Sequence, residues 1–302
     1  MEFRKRALES VVTRARRAAT EAIDDTAPLP LLSVVVPVRN GMPFIKEALN
    51  SILEETSASM ELIVRENGST DGTLEWLRTI DDPRVKIVVS PDSVSAAENW
   101  TQACQLAEGK FTKILCADDY VCQGGLKNQL NAALRSSEVA LVASRRQVTT
   151  EAGAIVFPHR GLRGMKGTHS GAWAVRKAVM SGGNPFGEPA SVLFRTDALK
   201  ASLPFSGRFP YVTDLEMYVK VLQHGTFVGL HTVDASFRLN SSSWSQDIGV
   251  GQLNQYRAWI QSLEHDGLVK RSHLERLVSD TKIFITFVAR RLITTLLGLF
   301  AH

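Results

Sequence analysis

The 302-residue sequence predicts an α/β fold built on a parallel, doubly wound sheet. Three observations carry that expectation. From Leu31 to Ser144, apolar runs of strand length alternate with segments of helical period. The runs are nearly continuous in apolar residues, as in strands covered on both faces. Helix-starting and turn-forming residues follow the carboxyl end of one run after another, as a βαβα series requires.

Taken in order, residues 1–24 place Leu8, Val11, Val12, Ala15, Ala18, Ala19, Ala22 and Ile23 at helical spacing. Arg4, Lys5, Arg6, Arg14, Arg16 and Arg17 are the charged complement, so a basic amphipathic helix is expected. Ala27-Pro28-Leu29-Pro30 breaks it. Leu31–Val36 reads as the first strand, and Pro43–Thr56 as a helix with Phe44, Ala48, Leu49, Ile52 and Leu53 on one face. Strands follow at Glu61–Arg65, Val85–Val89 and Phe111–Ala117, separated by helices from about Thr73 to Ile80 and from Ser95 to Ala107. A helix over Gly124–Ser136 and a strand over Val139–Ser144 close the series.

Beyond it the pattern is less regular. Glu151–Thr168 is rich in Gly and basic residues and has no clear period. Ser191–Phe194, Phe227–Leu230 and Ala235–Leu239 read as strands, and Asp214–His224 as a helix. Two more helices are expected in Gly249–Leu263 and Ser272–Phe300, the last carrying Leu274, Leu277, Val278, Ile285, Val288, Leu292 and Leu296.

Composition excludes several classes. Apolar residues make up 44% and charged residues 22%, which suits a soluble globular domain. A net charge of +4 is too small to argue for nucleic acid. Cys104, Cys116 and Cys122 have the spacing of neither a zinc site nor a disulfide framework. They read as reduced thiols of a cytoplasmic protein, two of them packed in the core. No secretory signal and no run of ~18 uncharged apolar residues is visible.

The most informative stretch is Lys113-Ile114-Leu115-Cys116-Ala117-Asp118-Asp119, an apolar run that ends in two adjacent carboxylates. Paired acids beyond the end of a strand suit a hard divalent cation, Mn²⁺ or Mg²⁺, whose open positions take substrate phosphates. Three more motifs fall at neighbouring element ends: Val36-Pro37-Val38-Arg39-Asn40-Gly41, Arg65-Glu66-Asn67-Gly68-Ser69-Thr70-Asp71-Gly72, and Ser95-Ala96-Ala97-Glu98-Asn99-Trp100. In this order they resemble the nucleotide-binding half of GT-A fold glycosyltransferases of the family 2 type, over about Leu31 to Leu239.

The resemblance implies a GT-A (Rossmann-like), mixed, mainly parallel sheet flanked by helices, with terminal helical extensions. It divides the chain into an N-terminal helix and linker (1–30), a catalytic domain (31–240) and a C-terminal helical extension (241–302). The catalytic domain would comprise a nucleotide-binding half (31–145) and an acceptor half (146–240). It implies an inverting enzyme that transfers a single sugar from a nucleotide-diphosphate sugar to a glycan or lipid-linked acceptor. The donor would be a UDP-sugar ahead of others, and the Gln-x-x-Arg-Trp element of processive synthases is absent.

By the same resemblance Pro37, Arg39 and Asn40 line the base pocket, Glu66 pairs with the base, and Asn67 follows it. Ser95 or Asn99 touches ribose or phosphate, and Trp100 belongs to the core. Asp118 is placed at the ribose or metal and Asp119 at the metal. Cys116, where a first acid is usual, reads as a buried strand residue. Asp214, at a helix start after Thr213, is the base that takes the acceptor's proton, with Glu216 as the alternative and helix capping as its structural reading. Glu188, in Asn184-Pro185-Phe186-Gly187-Glu188-Pro189, either bonds a sugar hydroxyl or sits in a rigid turn. Arg238 steadies the diphosphate or a loop, and Asn240 takes a His position. The Arg160–Ser170 loop is a candidate lid.

Asn67, Cys116 and Thr213 replace acids usual in the family and keep a non-catalytic sugar-nucleotide-binding subunit as the alternative. A nucleotidyltransferase ranks below it, since Val38–Pro43 holds a single glycine. The terminal helices either meet a membrane surface, at the inner face, or pack on the domain or a second copy as a homodimer.

Overall fold

The computed structural model describes residues 29–55, 59–240 and 251–299, with side chains placed as far as residue 289. The expected N-terminal helix lies outside the described residues. The first half runs β1 (Leu32–Val38), α1 (Ile45–Leu53), β2 (Met60–Glu66), α2 (Thr73–Leu77), β3 (Val85–Val89), α3 (Ala96–Gln105), β4 (Phe111–Ile114), β5 (Tyr120–Val121) and α4 (Gly125–Ala133). The second half runs β6 (Val139–Thr149), β7 (Ile155–Arg160), β8 (Gly167–Ser170), α5 (Gly171–Ser181), β9 (Val192–Arg195), α6 (Thr196–Ser202), α7 (Thr213–Val221), β10 (Thr226–Arg238), α8 (Gly251–His265) and α9 (His273–Leu299).

Among the described residues, all ten strands join one sheet in the order β3-β2-β1-β4-β9-β6-β10-β5, with β7 on β6 and β8 on β10. β1 pairs in parallel with β2 and β4, β2 with β3, and β6 with β10. β9 runs antiparallel to both β4 and β6. The sheet is therefore mixed, as the GT-A resemblance implies: β1, β2, β3, β4, β6 and β10 run one way, and β5, β7, β8 and β9 run the other. Six strands end at one edge, where ligands of open α/β sheets sit. β9, running the other way, begins at that edge.

Helices cover both faces. On β1, Leu32, Val34 and Val36 face one core with Ile45, Ala48, Leu49 and Ile52 of α1, while Val35 faces the other with Ala103 and Cys104 of α3. Each Val, Leu or Ile among them, fully buried, contributes about 1.5–3 kcal/mol. The spacing i, i+3, i+4, i+7 in α1 puts all four apolar residues on one stripe, which is why this helix was legible. Ser95 caps α3 by accepting the Glu98 N–H at 3.2 Å.

Several elements differ from expectation. β4 stops at Ile114: the Leu115 N–H still reaches the Val35 carbonyl (3.0 Å), then the Asp119 N–H closes a turn on the Cys116 carbonyl (3.2 Å). The two acids thus sit on a turn between β4 and β5, not on a strand tip. The two strands expected around 227–239 are one, β10, with register irregularities between Leu230 and Ala235. α5 was not read from the sequence, nor were β7 and β8 within the Gly-rich stretch. Of the cysteines, Cys104 is buried and the other two are half-buried.

The 160–170 loop is not a free lid. Leu162 and Met165 are buried in the core, and the Leu162 N–H bonds the Pro185 carbonyl at 2.9 Å.

Lys113, in the middle of β4, is fully buried. Its Nζ donates to Gln129 Oε1 (2.8 Å) and to the Ala190 carbonyl (2.5 Å), and burial pushes its pKa down to about 7. Gln129 Nε2 donates in turn to the Ser191 carbonyl at 2.9 Å. This network pins the 3-10 turn Pro189–Ser191 and with it Glu188.

Candidate active site

The acid turn is held by the end of β10. Asp119, buried, accepts the Arg238 N–H at Oδ1 (3.0 Å). The Arg238 guanidinium donates from Nε to the Asp118 carbonyl (2.9 Å) and from Nη1 to the Glu151 carbonyl (2.8 Å), and pairs through Nη2 with Glu47. It lies over the rings of Phe44 (4.9 Å) and Tyr120 (5.6 Å). Arg238 therefore steadies the loop rather than presenting its charge to a ligand. Truncating it to Ala leaves two carbonyls unpaired, and we expect a loss of about 2–3 kcal/mol, read by denaturant melts, together with weaker nucleotide binding.

Asp118 and Asp119 are both held above the usual carboxylate range. Burial is the main cause, and for Asp119 the neighbouring Asp118 charge adds to it. Asn240 hydrogen-bonds the Asp118 side chain. The Cys116 thiol joins the two carboxylates, one ligand atom of each lying within 4.8 Å of the others. Cys116 is thus part of the turn, which corrects its reading as a strand residue. Burial and the surrounding carboxylates push its thiol pKa well up, so it stays protonated. A hard cation takes the oxygens and leaves such a sulfur. Two crowded carboxylates that resist ionising together, with an amide beside them, suit a divalent cation.

Asp214 lies on the same edge. α7 begins at Thr213 with Val212 as its cap, so Asp214 is not the capping residue. Its Oδ1 accepts the Leu215 N–H (2.7 Å) and its Oδ2 accepts from Asn184 Nδ2 (2.8 Å). Burial first, and the Glu188 charge second, push its pKa up to about 7, against the two hydrogen bonds. Glu188 pairs with Arg146, whose Nη2 donates to Oε1 at 3.1 Å. The Cys116 thiol lies within electrostatic reach of Asp118, Asp119, Asp214 and Glu188 at once, so these four acids form one cluster. Arg146 Nη1, Ser191 Oγ and the Tyr218 hydroxyl are buried there without hydrogen-bond partners among the described residues.

Glu216 is elsewhere. Ser206 Oγ donates to it (2.6 Å) and Lys220 pairs with it (3.5 Å), on another side of α7. Glu216→Gln is expected to leave turnover within a few-fold of wild type. A loss comparable to that of an Asp214 variant would move the base to Glu216.

On the nucleotide side the strand-end turns are braced against one another. Glu66 is buried and accepts the N–H groups of Gly68 (3.2 Å) and Ser69 (2.5 Å). Asn40, in the left-handed region at φ +55, donates its N–H to Ser69 Oγ and accepts the Thr70 N–H, both at 2.8 Å. Asn67 clamps Val94 through two 2.9 Å bonds, one to its carbonyl and one from its N–H. Asn99 accepts from the buried Arg65. Pro37 is buried at the end of β1, whereas Arg39 is exposed beside it. A Cβ on Gly41 would come within 3.2 Å of the Ala117 Cβ, so this turn abuts the acid turn. Trp100 packs edge-on against Phe205 at 5.4 Å, a core residue as expected.

Sequence reasoning missed Arg146, Tyr218, the Asn184 bond to Asp214 and the buried amine of Lys113. Arg146 had a signal: Arg145-Arg146 ends the apolar run of β6 at the productive edge. A groove of about 900 Å³ opens at the opposite edge, between Phe111, Glu138, Arg195 and Thr226. It shares none of the residues above.

Comparison with known proteins agrees with this layout. Residues 33–202, more than half of the chain, match the family described as glycosyl transferase family 2. Hyaluronan synthase of Pasteurella multocida is 23% identical over 80% of this chain and 24% of its own length. The structure of S. aureus TarS 1–349 in complex with UDP-GlcNAc superposes with a TM-score of 0.60 at 18% identity, over 83% of this chain and 70% of that one. The mannosyltransferase PcManGT of Pyrobaculum calidifontis, in complex with GDP-Man and Mn²⁺, gives 0.57 at 18% identity, over 90% and 75%. The chain spans less than half the length of the first curated relatives it matches. A GT-A sheet, acids gathered at its carboxyl edge and a family match over more than half the sequence lead to one assignment: this chain belongs to glycosyl transferase family 2.

Proposed function

We propose that the chain is an inverting glycosyltransferase that moves one sugar from a nucleotide-diphosphate sugar to a glycan or lipid-linked acceptor in polysaccharide or glycoconjugate synthesis. A UDP-sugar is the first donor to test. The observation that carries this reading is the placement of Asp214, with a pKa of about 7, in one cluster with the acid turn. The complexes of TarS with UDP-GlcNAc and of PcManGT with GDP-Man and Mn²⁺ support the donor class and the cation.

Asp118 and Asp119, with Asn240 beside them, would hold Mn²⁺ or Mg²⁺. Bound there, the cation neutralises charge that collects on the departing diphosphate. Asp214 takes the proton of the acceptor hydroxyl as that oxygen attacks the anomeric carbon. The carbon–oxygen bond to the diphosphate breaks, and its electron pair leaves with the phosphate oxygen. Asn184 fixes the rotamer of the base through Oδ2. Glu188, held by Arg146, is placed to bind a sugar hydroxyl. Pro37, Asn40, Glu66 and Asn67 shape the base pocket. Ser95 and Asn99 border the ribose, and the exposed Arg39 is available to phosphate.

A thermal-shift panel of UDP-, GDP-, TDP- and CDP-sugars with Mn²⁺ or Mg²⁺ tests donor binding, and NMR of the product reads the anomeric configuration. Cation-dependent stabilisation by one donor class and an inverted product are expected. A retained configuration would refute the displacement; binding without turnover across acceptors would favour a scaffold subunit.

A further inference from the structure

α9 is fixed to the domain by one face. Ser279 and Ile283 are buried, Arg176 pairs with Glu275, and Arg271 and Arg276 both reach Glu264 of α8. The opposite face has no partner among the described residues. It carries Leu274 (70% exposed), Leu277 (66%), Val278, Phe284 (54%), Ile285 (58%) and Val288. At 100° per residue these six fall on one continuous stripe. A helix that buries its narrower apolar side and shows its broader one is built for a second apolar phase.

The charge around the stripe says which phase. Residues 268–302 hold six Lys and Arg against two acids, a surplus equal to the +4 of the whole chain. From 281 to 302 there are three cations and no acid. Two copies of such a segment repel one another, whereas anionic lipid complements it. Among the described residues no helix is long and apolar enough to cross a membrane. We propose that α9 is an interfacial helix that docks this protein on an anionic lipid surface, its apolar stripe in the headgroup–acyl boundary.

The packed side of α9, opposite the stripe, adjoins the segment that leads to the acids. Gly182, at φ +78, lies against α9 so closely that a Cβ would be 2.7 Å from the Lys282 carbonyl carbon. Two residues on, Asn184 donates to Asp214. Docking through α9 would bring the domain that carries the base to the lipid surface, where a lipid-linked acceptor is presented; this consequence rests on the glycosyl-transfer reading.

The test is flotation of the full chain with phosphatidylcholine vesicles, alone or with about a third phosphatidylglycerol. Binding to the anionic vesicles only, weakened by salt, is expected. Leu277→Glu/Phe284→Glu/Ile285→Glu should lower the bound fraction about tenfold or more. Lys282→Glu should lower it about fivefold. Leu134→Glu, at an exposed apolar site just past the end of α4, should bind as wild type. Unchanged melting and nucleotide binding show that each variant is folded. Failure of the wild type to float, or equal flotation of the triple variant, overturns the proposal. So does a concentration-dependent dimer that the triple variant abolishes without any vesicle binding. Vesicle binding in a protein that never turns over donor would strike the transfer reading and leave the docking supported.

Discussion

Asp214→Asn is expected to lower kcat by about 10³-fold or more and, at the same time, to raise the melting temperature. The loss follows from removing the group that accepts the acceptor's proton; general base catalysis and the positioning that goes with it are worth about 10²–10⁴-fold. The gain follows from the same carboxyl group's surroundings. Its folded pKa of about 7 lies above the ~3.9 of an unfolded Asp. Between those two values the folded chain keeps a proton that the unfolded chain has released. Stability therefore falls as pH rises through that window, and the full penalty applies above about pH 7. Burial of the charge causes it, and Asn removes the charge while keeping an acceptor for the Leu215 N–H, at the cost of the bond from Asn184 Nδ2, which lowers the gain. With a partly solvent-reached carboxylate, a gain of about 1–2 kcal/mol is expected above neutrality. Calorimetry at pH 8 and pH 5 reads it, larger at the higher pH. The kcat/KM profile of the wild type should show an acid limb near pH 7. A limb near pH 4, or an active Asn variant, would remove Asp214 from the role.

The second large effect is expected at the acid turn. Asp118→Asn and Asp119→Asn should each weaken Mn²⁺ binding by on the order of 10²-fold or more, and turnover should fall with it. The cluster holds four carboxylates and one buried guanidinium, so a divalent cation relieves repulsion that the protein alone does not. Both aspartyl groups are held above the ordinary range by burial, and at Asp119 by Asp118. Cation binding must therefore release protons, and Mn²⁺ affinity should fall as pH drops. The Asn side chain still accepts the Arg238 N–H at position 119, so the variants should fold. Chelation with EDTA should abolish turnover, and Mn²⁺ should restore it. Turnover that survives chelation would refute the cation's part.

The sequence made much of this visible because the physics was local. The apolar runs of β1 and β2, buried on both faces, and the Ile45–Ile52 stripe announce their elements by period alone. The motifs at 37–41, 65–72 and 118–119 were legible because a parallel sheet forces its ligand-facing residues to the strand ends. What stayed hidden depends on distant partners. α5 buries Gly171, Ala174, Val175, Ala178 and Val179 at helical spacing, but a stripe of such small residues is a weak apolar signal, and the Ser170 cap and the Gly182 end are as easily passed over. β9 follows the turn at Pro189–Ser191, which is held by Lys113, a buried amine with one acceptor 16 residues away at Gln129 and another 77 residues away at Ala190. Whether Arg238 steadies the diphosphate or a loop stayed open in the sequence, which does not show Glu47, Glu151 and Phe44 closing around it. The helix-start position alone ranks Asp214 ahead of Glu216; their different neighbours, Ser206 and Lys220 for Glu216 and Asn184 and the acid cluster for Asp214, could not be read from the sequence.

Electron paramagnetic resonance of Mn²⁺ titrated into the protein, with and without UDP, tests the centre of this account. Tight binding that strengthens with UDP and is lost in both Asp118→Asn and Asp119→Asn is the expected result. Equal Mn²⁺ affinity in wild type and the two variants would contradict it.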